Sequence, residues 1–252
     1  MASPFDLTGR VAVVTGANTG LGQAIAIALA GAGADVALVG RSSMDETAAR
    51  IARVGGDSLP VHADLGTTAP LPDIIERVEA WRGRLDILVN NAGIIRRADA
   101  LDFSEADWDA VMNTNLKTVF FLCQAFARHV VGHARGGKIV NVASVLSLQG
   151  GIRVASYTSA KSGLAGLTRL LANEWAGRGI NVNAIAPGYF ETNNTKALRA
   201  DPERNAAIVA RIPAGHWGKP EQVGGAAVFL ASPAADYVHG ITLPVDGGWL
   251  AR

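Results

Sequence analysis

The chain has 252 residues, 49% of them apolar and 18% charged, with a formal net charge of +1. That length accommodates one or two domains around an ample core, while near-neutrality leaves no field that would draw nucleic acid or anionic lipid, and no acidic tail. A single cysteine, Cys123, excludes an internal disulfide, and no apolar run reaches spanning length before a charge interrupts it, so a soluble, cytoplasmic protein without membrane, nucleic-acid or metal partners is expected.

Residues 10–15 form a β-branched apolar run, followed by a glycine-rich turn and an Ala-rich helix over 21–32. Strand, glycine turn and helix make a nucleotide-binding opening. Gly16, Gly20 and Gly22 follow the spacing Gly-x-x-x-Gly-x-Gly, which supplies a tight turn, close backbone approach and a helix N-terminus for pyrophosphate. A second strand, 35–39, ends in Gly40, Arg41 and Ser42. An NAD site would place an acid there for the ribose hydroxyls; its absence and the presence of Arg41 favour a 2′-phosphate, hence NADP(H).

The third strand is expected to end at 63–65 and the fourth, 85–89, to run into Asn90-Asn91-Ala92-Gly93. A helical region begins at Ser104, where Ser104 and Asp107 are spaced as a capping box, carries Asn115 and Cys123, and continues towards His133. Residues 138–143 read as a buried strand that delivers Ser144 to its end, where open parallel sheets bind ligands. In the helix that follows, Tyr157 and Lys161 are four apart and share a face. A phenol with a pKa of about 10 is a poor acid or base near neutrality, and the neighbouring ammonium is expected to lower it. A sixth strand, 181–186, ends in Pro187-Gly188; residues 189–217 break the alternation and are expected to form a mobile lid; a helix over 220–231 and a strand over 241–245 finish the chain. The expectation is one α/β domain over 1–252, a Rossmann-type doubly wound parallel sheet in three αβα layers.

Thr-Gly-Ala-Asn-Thr-Gly-Leu-Gly (15–22), Asn-Asn-Ala-Gly (90–93), Ser144 with Tyr157 and Lys161, and Pro187-Gly188 together resemble the short-chain dehydrogenase/reductases, over the whole chain. The resemblance implies a catalytic tetrad of Asn115, Ser144, Tyr157 and Lys161, with Tyr157 as acid/base, Ser144 on the substrate oxygen, Lys161 also on the nicotinamide ribose and Asn115 holding a relay water. It implies NAD(H) or NADP(H) held by Gly16, Asn18, Thr19, Gly20, Leu21 and Gly22, by Arg41 and Ser42, by Asp64 and Leu65 at the adenine, by Asn91, Ala92 and Gly93, and by Pro187, Gly188, Phe190 and Thr192 at the nicotinamide. Phe190 stands where the family usually has a smaller aliphatic residue. A homotetramer is also implied.

The segments 93–100, 148–154, 189–195, 211–215 and 245–252 resemble more closely the branch of this family that acts on keto-deoxy sugar acids. That branch would interconvert 2-dehydro-3-deoxy-D-gluconate and 3-deoxy-D-glycero-2,5-hexodiulosonate in the breakdown of pectin- or alginate-type uronates, normally with NAD, which conflicts with Arg41. Arg96, Arg97 and Arg153 offer guanidinium groups for a carboxylate, and Gln149, Asn193 and Asn194 offer hydrogen bonds for hydroxyls. Adjacent Arg96 and Arg97 cannot point the same way, and Arg153, between Ser144 and Tyr157, is the expected carboxylate holder, with Arg96 in support. A 3-oxoacyl carrier-protein reductase is the nearest alternative but wants an apolar acyl groove; a non-catalytic nucleotide sensor would not need the intact tetrad.

Overall fold

Runs of valine, isoleucine and leucine bounded by glycine and polar turns become seven strands: β1 (Val11–Thr15), β2 (Asp35–Gly40), β3 (Ser58–His62), β4 (Ile87–Asn90), β5 (Gly137–Val142), β6 (Ile180–Pro187) and β7 (Thr242–Val245). The computed structural model describes residues 3–252. All neighbouring strands pair parallel, in the order β3-β2-β1-β4-β5-β6-β7. Helices α1 (Gly20–Gly31), α2 (Asp45–Arg53), α3 (Leu71–Arg82), α4 (Glu105–Met112), α5 (Thr118–Gly132), α6 (Ala155–Trp175), α7 (Lys196–Ala200), α8 (Pro202–Arg211) and α9 (Gly224–Ala231) complete the chain.

Side chains alternate across β1, so Ala12 and Val14 fall in one core with Ile25 and Leu29 of α1 and Leu230 of α9, whereas Val11 and Val13 fall in another with Val78 of α3, Phe126 of α5 and Leu164 of α6. Both faces are therefore covered, and the strands read as continuous apolar runs because neither face sees water. Each fully buried Leu, Ile or Phe here contributes roughly 1.5–3 kcal/mol through area removed from water. Cys123 belongs to the second of these cores: its sulfur lies 3.2 Å from the Asn90 Nδ2, and burial pushes its thiol up to about 12.

Several elements differ from expectation. The third strand stops at His62, because Ala63 donates back to Gly40 (3.0 Å) and the Asp64 carboxylate then accepts from Gly66 N (2.9 Å), turning the chain. β3 lies at the sheet edge, where Pro60 is tolerated. Ser104 Oγ accepts from Asp107 N (3.2 Å), but the reciprocal arm of the capping box is missing, since the Asp107 carboxylate pairs with Arg96 (3.0 Å). The helical region from Ser104 is broken by a π-helical turn, Asn113–Lys117, and the segment 220–231 opens as a 3-10 turn, Pro220–Val223, before α9. Residues 189–217 are largely helical. Ile208 and Ile212, four apart, turn inward with Trp217 against Val145 and Trp249, and the Asp201 carboxylate caps α8 by accepting from Glu203 and Arg204 N–H.

Candidate active site

The strand order reverses between β1 and β4, and the cleft at their carboxyl ends is where an open parallel sheet presents loops from both directions. Asn91, just past β4, sutures the two loops: its Nδ2 donates to Thr15 O (2.9 Å) and Gly16 O (3.2 Å), while Thr15 Oγ1 accepts from Asn91 N and Ala92 N (both 3.0 Å). A Cβ on Gly22 would stand 2.2 Å from Gly16 O and 2.3 Å from Asn91 Nδ2, so this glycine is required by backbone packing. Gly20 has φ +60°, with only the Thr192 side chain near the space a Cβ would fill.

The start of α1 has no side-chain cap and no acid in its first turn, which leaves its first N–H groups and the positive end of its dipole for an anion. Gly16, Asn18, Thr19, Gly20, Leu21 and Gly22 line a cleft of about 340 Å³ that continues past Asn91, Ala92 and Gly93 to Pro187, Gly188, Phe190 and Thr192. The donor set and the glycine floor fit a dinucleotide pyrophosphate. A second, adjoining cleft is lined by Arg41, Ser42, Asp64 and Leu65. In it Asn18 Nδ2 donates to Ser42 Oγ (2.7 Å), and Arg41 faces Asp64 at 3.9 Å with both side chains exposed. Phe190 is buried and bridges to Gly218, whose missing Cβ leaves room for its ring.

Ser144, Tyr157 and Lys161 line the same cleft as the glycine loop. Ser144 leaves β5 in extended conformation, and its Oγ accepts from Leu146 N (3.1 Å). Lys161 is 4% exposed; its Nζ donates to Val142 O (2.6 Å) and lies 5.8 Å from the centre of the Tyr157 ring. Burial brings the Lys161 ammonium down to about 8. The Tyr157 phenol is raised, because burial outweighs the Ser144 hydroxyl and the Arg97 charge, both of which favour the phenolate. The expectation that Lys161 lowers this phenol is thus corrected: in the chain alone the charge that does so is Arg97. Asn115, on the π turn and fully buried, accepts from Ile94 N (2.9 Å) and donates to Ile94 O (2.8 Å), which locks the loop after β4; its side chain is committed there.

The residues expected at the substrate separate. Asn193 and Asn194 line the catalytic cleft. Arg153 has φ +61°, its Nε 3.1 Å from Asp99 and its side chain 60% exposed. Arg96 turns away to Asp107 and lines the second cleft. Gln149 Oε1 accepts from Arg211 Nη2 and Trp249 Nε1 (both 3.0 Å), a clasp between the loop after β5, the end of α8 and the 3-10 turn at Trp249. Residues 94–97 run without regular structure, and Arg97 takes the opposite side from Arg96, where Nη2 donates to Asn194 O (3.1 Å) with the side chain exposed and its charge favouring the Tyr157 phenolate. The adjacency of the two arginines already implied that they diverge; their direction had no signal in the sequence, nor did the packing of Tyr189 edge-to-face on Trp217 and tilted on Trp249.

A family model described as Enoyl-(acyl carrier protein) reductase matches residues 16–250. The chain is 57% identical over 250 residues to the 2-dehydro-3-deoxy-D-gluconate 5-dehydrogenase of Escherichia coli (strain K12), covering 99% of each. It is 61% identical, with a TM-score of 0.92 and full coverage of both chains, to a solved Agrobacterium tumefaciens protein named as a candidate 2-deoxy-D-gluconate 3-dehydrogenase with bound NADP. A solved Beutenbergia cavernae protein, named as a candidate NAD(P)-dependent gluconate 5-dehydrogenase with NADP at low occupancy, shares 52% identity at a TM-score of 0.95, over 99% of this chain and 100% of its own. The cleft at the switch point, the Ser144, Tyr157 and Lys161 grouping within it and these full-length similarities agree: the chain belongs to the short-chain dehydrogenase/reductase family.

Proposed function

We propose that the protein is an NAD(P)-dependent dehydrogenase that interconverts 2-dehydro-3-deoxy-D-gluconate and 3-deoxy-D-glycero-2,5-hexodiulosonate. The observation that carries this is the placing of Ser144, Tyr157 and Lys161 in one cleft with the glycine loop and with Asn194, whose backbone oxygen accepts from Arg97. Relatives of that name at 51–57% identity support the substrate. The nicotinamide, when bound, exchanges a hydride with the carbon that carries the reacting oxygen.

The protein's own residues handle the oxygen and the proton. Tyr157 Oη gives its proton to the ketone oxygen in reduction and takes it back in oxidation. Ser144 Oγ holds that oxygen beside the phenol. Lys161 contributes a cation in the same cleft, and Asn115 acts as a positioning residue by fixing the Ile94 loop. Arg97 replaces Arg153 as the holder of the substrate carboxylate, and Asn193 and Asn194 meet its hydroxyls. Arg41 leans the cofactor towards NADP(H). Residues 189–217 serve as the substrate lid. We place the enzyme in the cytoplasm, as a homotetramer, in uronate catabolism; the half-exposed Phe121 of α5 and Leu170 of α6 are apolar surface suited to subunit contacts.

The test is a screen of keto-uronates, small neutral ketones and an acyl thioester with NADH and NADPH. Fastest turnover is expected on the keto-deoxy sugar acid; faster reduction of the acyl thioester would overturn the substrate assignment in favour of a carrier-protein reductase.

A further inference from the structure

Beside the catalytic cleft a smaller one runs between α1 and the lid, lined by Thr19, Gly20 and Gln23 on one side and by Thr192, Asn193 and Arg199 on the other. The two clefts share Thr19, Gly20, Thr192 and Asn193, so they adjoin at the uncapped start of α1. Arg199 comes from α7. Its guanidinium, with five donors, makes one long bond, Nη2 to Thr192 O at 3.3 Å, and its Nε is shut away from solvent with no acceptor. Among the described residues no carboxylate pairs with it, although Glu191 and Glu221 line the same cleft; Glu221 is paired with Arg50 (3.5 Å), which also donates to Gln23 Oε1 (2.9 Å).

A partly buried guanidinium without a counter-charge is costly unless an anion arrives to meet it. Chemistry narrows the anion. Ser144 and Tyr157 do not line this cleft, so it does not reach the reacting carbon, and Arg41 and Ser42, at the far end of the nucleotide, do not line it either. Thr19 and Gly20 belong to the glycine loop at the uncapped start of α1, which would hold the pyrophosphate between the two riboses. Resting on the dehydrogenase reading above, we propose that Arg199 is a lid-borne ligand of the dinucleotide pyrophosphate. The phosphates are then held from two sides, by the N–H groups of α1 and by a forked cation on the lid.

Calorimetric titration of the full-length protein with NADPH, NADH and ADP-ribose tests this, since all three carry the pyrophosphate and only the first two carry nicotinamide. R199Q is expected to raise the Kd of all three by a similar factor, roughly tenfold or more, the loss of one charge-assisted bond. Should R199Q fail to fold, R199M, which keeps the alkyl stem, carries the same expectation. Affinities within about twofold of wild type overturn the assignment, as does a loss confined to NADPH, which would make Arg199 a reader of the 2′-phosphate. A merely structural role in the lid would lower kcat and leave the ADP-ribose affinity unmoved, and that result also overturns it. Wild-type protein that binds none of the three would instead overturn the dehydrogenase reading itself.

Discussion

Lys161 is nearly inaccessible and its ammonium is depressed to about 8, while the unfolded chain keeps a lysine protonated to about 10.5. Between those values the unfolded state binds more protons, so stability from this group is absent below about pH 8 and rises with pH across the window. The raised Tyr157 phenol acts oppositely above about pH 10, where the folded state retains a proton that the unfolded state releases. Lys161→Met should abolish the rise between pH 8 and 10 in denaturant-derived stability; parallel profiles for mutant and wild type would refute the burial argument. Arg97 and Arg153 give a second contrast. Arg97→Ala should cut kcat/KM for a keto sugar acid roughly tenfold or more and spare a small neutral ketone, because one charged hydrogen bond is worth that much. Arg153→Ala should change the two substrates alike, since its guanidinium pairs with Asp99 in an exposed position; steady-state kinetics on both decide. At this scale the sequence displays residue types and spacing, enough to single out Tyr157 and Lys161 on one helix face. Which arginine reaches Asn194 and which turns to Asp107 depends on the path of an irregular loop, and no periodicity encodes that.

Among elements, α1 shows how closely the turn and helix are fitted. Gly22→Ala would thrust a methyl group into Gly16 O and Asn91 Nδ2, both closer than any real Cβ contact, and since one neighbour is backbone the loop itself must move. A loss of about 1–3 kcal/mol by urea denaturation, with weakened dinucleotide affinity, is expected. Gly31→Ala, exposed at the far end of the same helix with open space around its Cβ, should instead stabilise by up to about 1 kcal/mol; equal costs for the two would show that packing at Gly22 is not the constraint. Buried strands and the longer helices were legible because apolar runs and glycine turns are local signals. The π turn at Asn113–Lys117 was not, as it inserts without altering the apolar pattern around it. Residues 189–217 concealed α8 because its buried apolar side rests on Ile208, with Ile212 just past its end, and their partners, Val145 and Trp249, are distant in sequence.

For the molecule as a whole, a dinucleotide held across β1, β4 and the lid must bind the folded state and not the unfolded one. NADPH at about a hundred times its Kd should stabilise by about 2.7 kcal/mol, hence raise the melting temperature of a chain this size by about 5–10 °C in a thermal scan; no shift at saturation would contradict a preformed site. The doubly wound order was readable from the βα alternation, whereas the proposed association of subunits has only scattered exposed apolar residues, such as Phe121 and Leu170, behind it. The lone thiol carries a practical corollary. Cys123 is sealed in the core and protonated far above neutrality, so thiol reagents will pass the native protein by. A cysteine introduced at exposed Lys196 on α7 would then be the sole addressable sulfur, and a fluorophore coupled to it would report movement of the lid without any native residue having to be removed first.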